Sequence, residues 1–284
     1  VRFFRPTLAA ATCVVLGALA ASGEARAFCR TTTSGAPLGY DPAVSGCWTK
    51  GIPLAWPSGR VPYGVSSAGS KYVTPSDAVR VADLAFTAWN ESVCANGPPT
   101  VQAYDVGLLT QPDASDCATS GSCNPAAHDL IVFRDAAWLY DDPVNTLALT
   151  TVSYGVNDGV IFEALVEVNT AQHPVTAVEP PPPSTSGVFD LQAILTHEAG
   201  HFLGLAHATE TQAVMYAYYQ AGAITLSADD VAGICAMYGP SPPGTNASSS
   251  CATPQANGAR GSGCVAAAFA FIAVLRRRAR RPAT

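Results

Sequence analysis

Apolar residues fall on one face of "TPSDAVRVADLAFTAWNES", where Ala78, Val81, Ala82, Ala85, Phe86 and Trp89 keep helical spacing. The stretch predicts an amphipathic helix with Thr74 as N-cap, Pro75 at its first position and Asp77 in its first turn. Before it, "RVPYGVS" reads as a strand. After it, "TVQAYDV", "DLIVFRD", "LALTTVSY" and, beyond the turn "GVNDG", "VIFEALVEVN" read as four more. The prolines of "AVEPPPPSTSG", residues 177–187, predict a stiff surface loop outside helix or sheet. Helical spacing resumes at Asp190, and "SADDVAGICAMYG" predicts a last helix starting at Ser227, with Asp229 and Asp230 in its first turn. Strand, helix, strands, helix, helix between Arg60 and Gly239 implies one α+β or α/β domain with its own core.

The helix after Asp190 carries the chemistry. In "LQAILTHEAGHFLGLAH", Leu191, Ile194, Leu195 and Phe202 make an apolar stripe, and His197 and His201, four apart, stack on the adjoining face. Two imidazoles at that spacing suit one metal ion. Glu198 falls inside the apolar stripe, where a carboxylate loses solvation unless something compensates it. Gly204 supplies the left-handed geometry that ends a helix, and three residues later His207 is placed to return as a third ligand. Three neutral imidazoles with an open position describe catalytic zinc, whereas structural zinc is usually closed by four ligands. The chemistry expected is hydrolysis by a zinc-activated water, with Glu198 as general base.

Composition changes the picture at the two ends. Residues 1–27 have an arginine-bearing start, a short apolar run and an Ala-Arg-Ala triplet, which predicts a secretory signal peptide. At the other end, residues 264–284 combine Gly263-Cys264, the apolar run Val265–Leu275 and five arginines. This resembles a myxobacterial C-terminal sorting signal and would place the chain at the cell surface or outer envelope. Residues 28–59 are read as an N-terminal segment, 60–240 as the catalytic domain and 241–263 as a linker. Without residues 1–27 and those from Arg260 on, 6 Lys and Arg face 20 Asp and Glu, a net charge of about −14. So acidic a surface argues against nucleic-acid binding. In an exported chain the cysteines read as disulfides. Cys29 with Cys47 and Cys117 with Cys123 suit short loops, but spacing does not fix the pairing.

With the complete pattern HExxHxxGxxH on an amphipathic helix, the segment resembles a metzincin metallopeptidase. "AVMYAYY" supplies a methionine turn at Met215, and "LSADDVAGICAMYG" is similar to the last helix of the matrixin branch. "LALTTVSYGVNDGVIFEALVEVN" is similar to that branch's edge strand and the strand after it. The resemblance implies a twisted, mostly parallel sheet with an antiparallel edge strand, a long active-site helix, and a small C-terminal subdomain. It implies zinc on His197, His201 and His207, Glu198 as base, and Met215 as a packing residue beneath the metal. Substrate would lie along the edge strand, about Leu147 to Ser153, with Tyr216 and Tyr218 as candidate pocket walls beside an equal reading as core aromatics.

The chain departs from the branch in places. Ala208 follows the third histidine, Ala217 stands where some branches carry a ligating tyrosine, and Glu163 and Leu165 replace the two acids of a "DAD" triplet. Outside the motif only His128 and His173 remain, so a second, structural zinc is not expected. Asp141, Asp142, Asn157 and Asp158 offer oxygen ligands for calcium, with solvated turns as the preferred reading. The sequence thus predicts an exported, monomeric zinc endopeptidase acting on proteins or peptides. Its competitors are a catalytically idle zinc-binding scaffold and a hydrolase of non-peptide amides.

Overall fold

The computed structural model describes residues 28–37, 39–57, 59–110, 129–183 and 185–242, together with the backbone of 271–276. The expected signal peptide, the Cys117–Cys123 pair, His128 and Gly263-Cys264 lie outside the described residues.

The centre is a six-stranded sheet. Its strands are β2 (Gly59–Ser66), β3 (Val101–Leu109), β4 (Leu130–Phe133), β5 (Thr146–Tyr154), β6 (Ile161–Val168) and β10 (Phe271–Arg276), in the order β10-β5-β6-β4-β2-β3. Pairings from β3 through β2 and β4 to β6 are parallel, while β5 and β10 each join antiparallel. The predicted mostly parallel sheet with an antiparallel strand is therefore present, with one correction. β5 was expected at the edge, but β10 covers it, pairing Phe271 with Val152 through to Arg276 with Thr146. The physical reason is that an open strand edge presents unpaired N–H and C=O groups to any extended segment able to reach them.

Helix α2 (Pro75–Asn90) packs on the sheet, and the six predicted stripe residues are the ones it buries. Its start is as the sequence implied: Thr74 Oγ1 accepts the Asp77 amide at 3.1 Å. The long helix α3 (Leu191–Phe202) follows the two-residue strand β8 (Phe189–Asp190), and the Asp190 carboxylate accepts the Gln192 amide at 2.9 Å.

Aromatic side chains fix the position of α3. Phe86 stacks on Tyr63 with ring centres 4.0 Å apart and meets Phe202 edge-on at 5.0 Å. Trp89 donates its indole N–H to Thr196 O at 2.8 Å, and Trp56 donates to Phe202 O at 2.7 Å. Such rings combine large apolar burial with a polar anchor, so the helix is held in rotation as well as in depth.

Three smaller elements complete the frame. The N-terminal segment enters as β1 (Cys29–Arg30), which pairs antiparallel with β9 (Leu205–Ala206), and makes one short helix, α1 (Pro42–Ser45). β7 (Val175–Thr176) pairs with β8, and the described residues of the proline-rich stretch after it join no helix or strand. The last helix, α4 (Ala228–Tyr238), starts at Ser227 with a reciprocal cap to Asp230. Disulfides join Cys29 to Cys47 and Cys94 to Cys235. The second links residues 141 apart and ties the loop after α2 to α4.

Candidate metal centre

All twelve residues of α3 are buried, so the histidine helix runs through the interior rather than over its surface. It ends where the sequence required: Gly204 has φ +94, a conformation L side chains rarely adopt, and the chain turns back into β9. An added Cβ at Gly204 would also meet Leu54 O at 2.8 Å, so glycine is needed on two counts. The returning loop brings His207 over α3. One ring nitrogen from each of His197, His201 and His207 lies within 4.8 Å of the others. The predicted triad is therefore assembled in space. Among the described residues, it is the only grouping of three or more His, Cys, Asp or Glu so placed.

Hydrogen bonds to backbone carbonyls set the ring orientations. His197 Nδ1 lies 2.7 Å from Val214 O, and His201 Nδ1 lies 2.9 Å from Leu205 O. A carbonyl only accepts, so each Nδ1 carries the proton and each Nε2 keeps its lone pair for a metal. His197 Nε2 and His201 Nε2 are buried with no hydrogen-bond partner. Burial holds the His197 imidazole down to about 4, and burial with the neighbouring imidazoles holds His201 well below its ordinary value. Both rings are thus neutral near pH 7, the form that binds metal.

Glu198 is wholly buried, and desolvation raises its carboxyl to about 8. One oxygen accepts the Thr150 hydroxyl at 2.5 Å, while Oε1 is buried with no hydrogen-bond partner. Two orphaned imidazole nitrogens and an orphaned carboxylate oxygen together fit a divalent ion beside them. The nitrogen-rich donor set suits zinc.

Met215 lies beneath the helix. A Cβ at Gly200 would stand 2.2 Å from Met215 Sδ and 2.8 Å from Trp89 Cζ2, so the glycine between the two helical histidines makes room for the methionine. The turn is pinned by a carboxylate that sequence reasoning placed only in a first helical turn. Asp230 is buried and accepts the amides of Val214 at 2.8 Å and Met215 at 3.1 Å, besides the Ser227 amide at 2.8 Å. Since Val214 O also receives His197 Nδ1–H, a chain of contacts runs from α4 through the turn to a candidate ligand. The Ala208 amide donates to Met215 O at 2.8 Å, anchoring the His207 loop to the same turn.

Thr150 was the other residue missed. Alternation along β5 could have placed it on the helix side of the strand, but not beside Glu198. Of the two tyrosines singled out from the sequence, Tyr218 lines the space at the metal centre, whereas Tyr216 is buried and bridges Ala208. His173 is a core histidine: it is buried, with Nε2 3.0 Å from Pro143 O and its ring edge-on to Phe189. Two of the carboxylates considered for calcium make turn hydrogen bonds, Asp142 with Asn145 Nδ2 and Asp158 with the Val160 amide.

The comparisons with known proteins fall on this part of the chain. The matrixin family profile (peptidase M10) matches residues 128–239. Metalloendoproteinase 1-MMP of Arabidopsis thaliana is 43% identical over 61 residues, 21% of this chain and 17% of that protein. Interstitial collagenase of Bos taurus is 50% identical over 54 residues, 19% of this chain and 12% of that protein. Stromelysin-1 of Equus caballus is 47% identical over 53 residues, 17% and 11% respectively. The chain therefore spans less than a fifth of the length of these relatives. Residues 128–239, which hold the triad, Glu198 and the methionine turn, are thus similar to a matrixin domain, and the matches support a zinc metalloendopeptidase.

Proposed function

We propose that this protein is an exported zinc endopeptidase that cuts peptide bonds with Glu198 as general base. The observation that carries the reading is the meeting of His197, His201 and His207 around a point beside the buried, partly unsatisfied carboxylate of Glu198. Bound zinc would supply Lewis acidity, polarising the scissile carbonyl and making a water acidic near neutral pH.

The chain's own residues do the rest. His197 and His201 are held by carbonyls in the tautomer that offers Nε2, and the Met215 turn keeps the His207 loop in register. Thr150 fixes one oxygen of Glu198 and leaves Oε1 to take a proton from the attacking water and hand it to the leaving amine. An extended peptide would add along β5, through backbone hydrogen bonds on the side that β10 takes.

Two disulfides fit an oxidising compartment outside the cytoplasm. Among the described residues no helix is long and apolar enough to cross a membrane, so surface attachment through residues 264–284 is a separate proposal.

The test is cleavage of casein by the purified protein. Activity is expected to vanish after treatment with a zinc chelator and to return on adding zinc at stoichiometric levels. Undiminished cleavage in chelator would overturn the reading.

A further inference from the structure

The metal centre opens unequally to its two sides. Toward His197, the space bounded by Tyr218, Tyr219 and Ala223 has a volume of only about 10 Å³, room for little more than one water. Toward His201 and His207 lies a cavity of about 740 Å³. Its walls come from two parts of the chain: Tyr40 and Trp48 belong to the N-terminal segment closed by Cys29–Cys47, outside the segment that matches matrixins, and Trp138 and Tyr140 to the loop before β5, inside it. The rings form two edge-on pairs, Tyr40 with Trp48 at 5.5 Å and Trp138 with Tyr140 at 5.2 Å.

Three carboxylates, Asp41, Asp141 and Asp142, share the lining. Among the described lining residues the one cation is Arg30, whose guanidinium donates to Leu54 O at 3.4 Å. Aromatic walls alone would accept any large apolar side chain. Carboxylates among them select a long stem ending in a positive charge, which packs its methylenes on the rings and presents its head to ring faces and acids.

We propose that this cavity is a specificity subsite for an arginine or lysine side chain of the substrate, built by the N-terminal segment and the 138–142 loop. The proposal rests on the endopeptidase reading, and its test separates the two. Peptides carrying arginine, lysine, norleucine or glutamate, varied one position at a time around the cut, are offered to the zinc-loaded wild type. Their affinity for zinc-loaded Glu198→Gln is measured in parallel by tryptophan fluorescence. At one position arginine and lysine are expected to be favoured about tenfold over norleucine, and glutamate disfavoured, in both kcat/KM and affinity. Asp141→Asn is expected to erase the preference by raising KM for the arginine and lysine peptides toward that of the norleucine peptide, and Trp138→Ala to raise KM for the arginine, lysine and norleucine peptides alike. Equal affinity for all four peptides overturns the subsite. A binding preference without cleavage upholds it and overturns the hydrolase instead.

The pairing of β10 with β5 carries a second inference independently of the cavity. In this register Ala273 stands opposite Thr150, the residue whose hydroxyl touches Glu198. β10 therefore crosses beside the proton-transfer group on the strand edge that an extended substrate needs. We infer that residues 271–276 hold the enzyme latent by occupying that edge. Replacing both Ile272 and Ala273 by proline in the full-length chain removes a ladder donor whichever of the two faces β5. The variant is expected to cleave casein with kcat/KM raised about tenfold, mainly through a lower KM, and its Glu198→Gln form to bind peptides correspondingly tighter. Unchanged KM and unchanged peptide affinity would overturn the inference.

Discussion

Glu198→Gln is expected to retain wild-type zinc content while cleaving casein about three orders of magnitude more slowly, the scale of a lost general base. The substitution is nearly isosteric, keeps an acceptor for the Thr150 hydroxyl and touches none of the three imidazoles. It also removes a group whose charged form burial disfavours, as its raised proton affinity shows. The melting temperature should accordingly stay level or rise, which separates lost chemistry from lost folding. Metal analysis and cleavage rates on the same preparation check this. Equal cleavage by the two proteins would remove Glu198 from the reaction, and no cleavage by either would favour a zinc-binding scaffold.

The second large effect concerns stability. Replacing Cys94 and Cys235 together by serine opens a crosslink between residues 141 apart. Loop-closure entropy for so long a loop puts the loss at about 4–5 kcal/mol, against a total stability of about 5–15 kcal/mol for an ordinary domain. Urea titration of the double variant should show its midpoint fall to a small fraction of the wild-type value or the native baseline disappear. Removing Cys29–Cys47 in the same way opens a loop of only 18 and should cost about 3 kcal/mol. An order reversed between these two variants would contradict the chain-entropy account.

What could be read from the sequence depended on how local each feature is. Helix α2, its cap at Thr74 and its buried stripe were fully legible because every relation involved lies within one or two turns. The triad was legible for the same reason: His197, His201, Gly204 and His207 sit on one helix and its return. Asp230 and Thr150 were not, since each acts on residues 15 or more positions away through contacts that only the folded chain creates. The Cys94–Cys235 pairing is equally non-local.

The run Val265–Leu275 shows a different kind of ambiguity. Apolar residues followed by arginines suit a sorting signal, and an apolar stretch of that length also suits a strand, so periodicity alone does not choose. The open side of β5 decides for residues 271–276, and nothing in the run announces that such a partner exists.

The link from Asp230 through the methionine turn to His197 ties the candidate metal centre to the last helix. If α4 melts, the amides of Val214 and Met215 lose their acceptor, and the imidazole that leans on Val214 O loses its brace. Undocking the last helix and loosening the His197 ring are then expected as a single cooperative event. A copy that has not docked its final helix is therefore expected to lack a braced His197 ring.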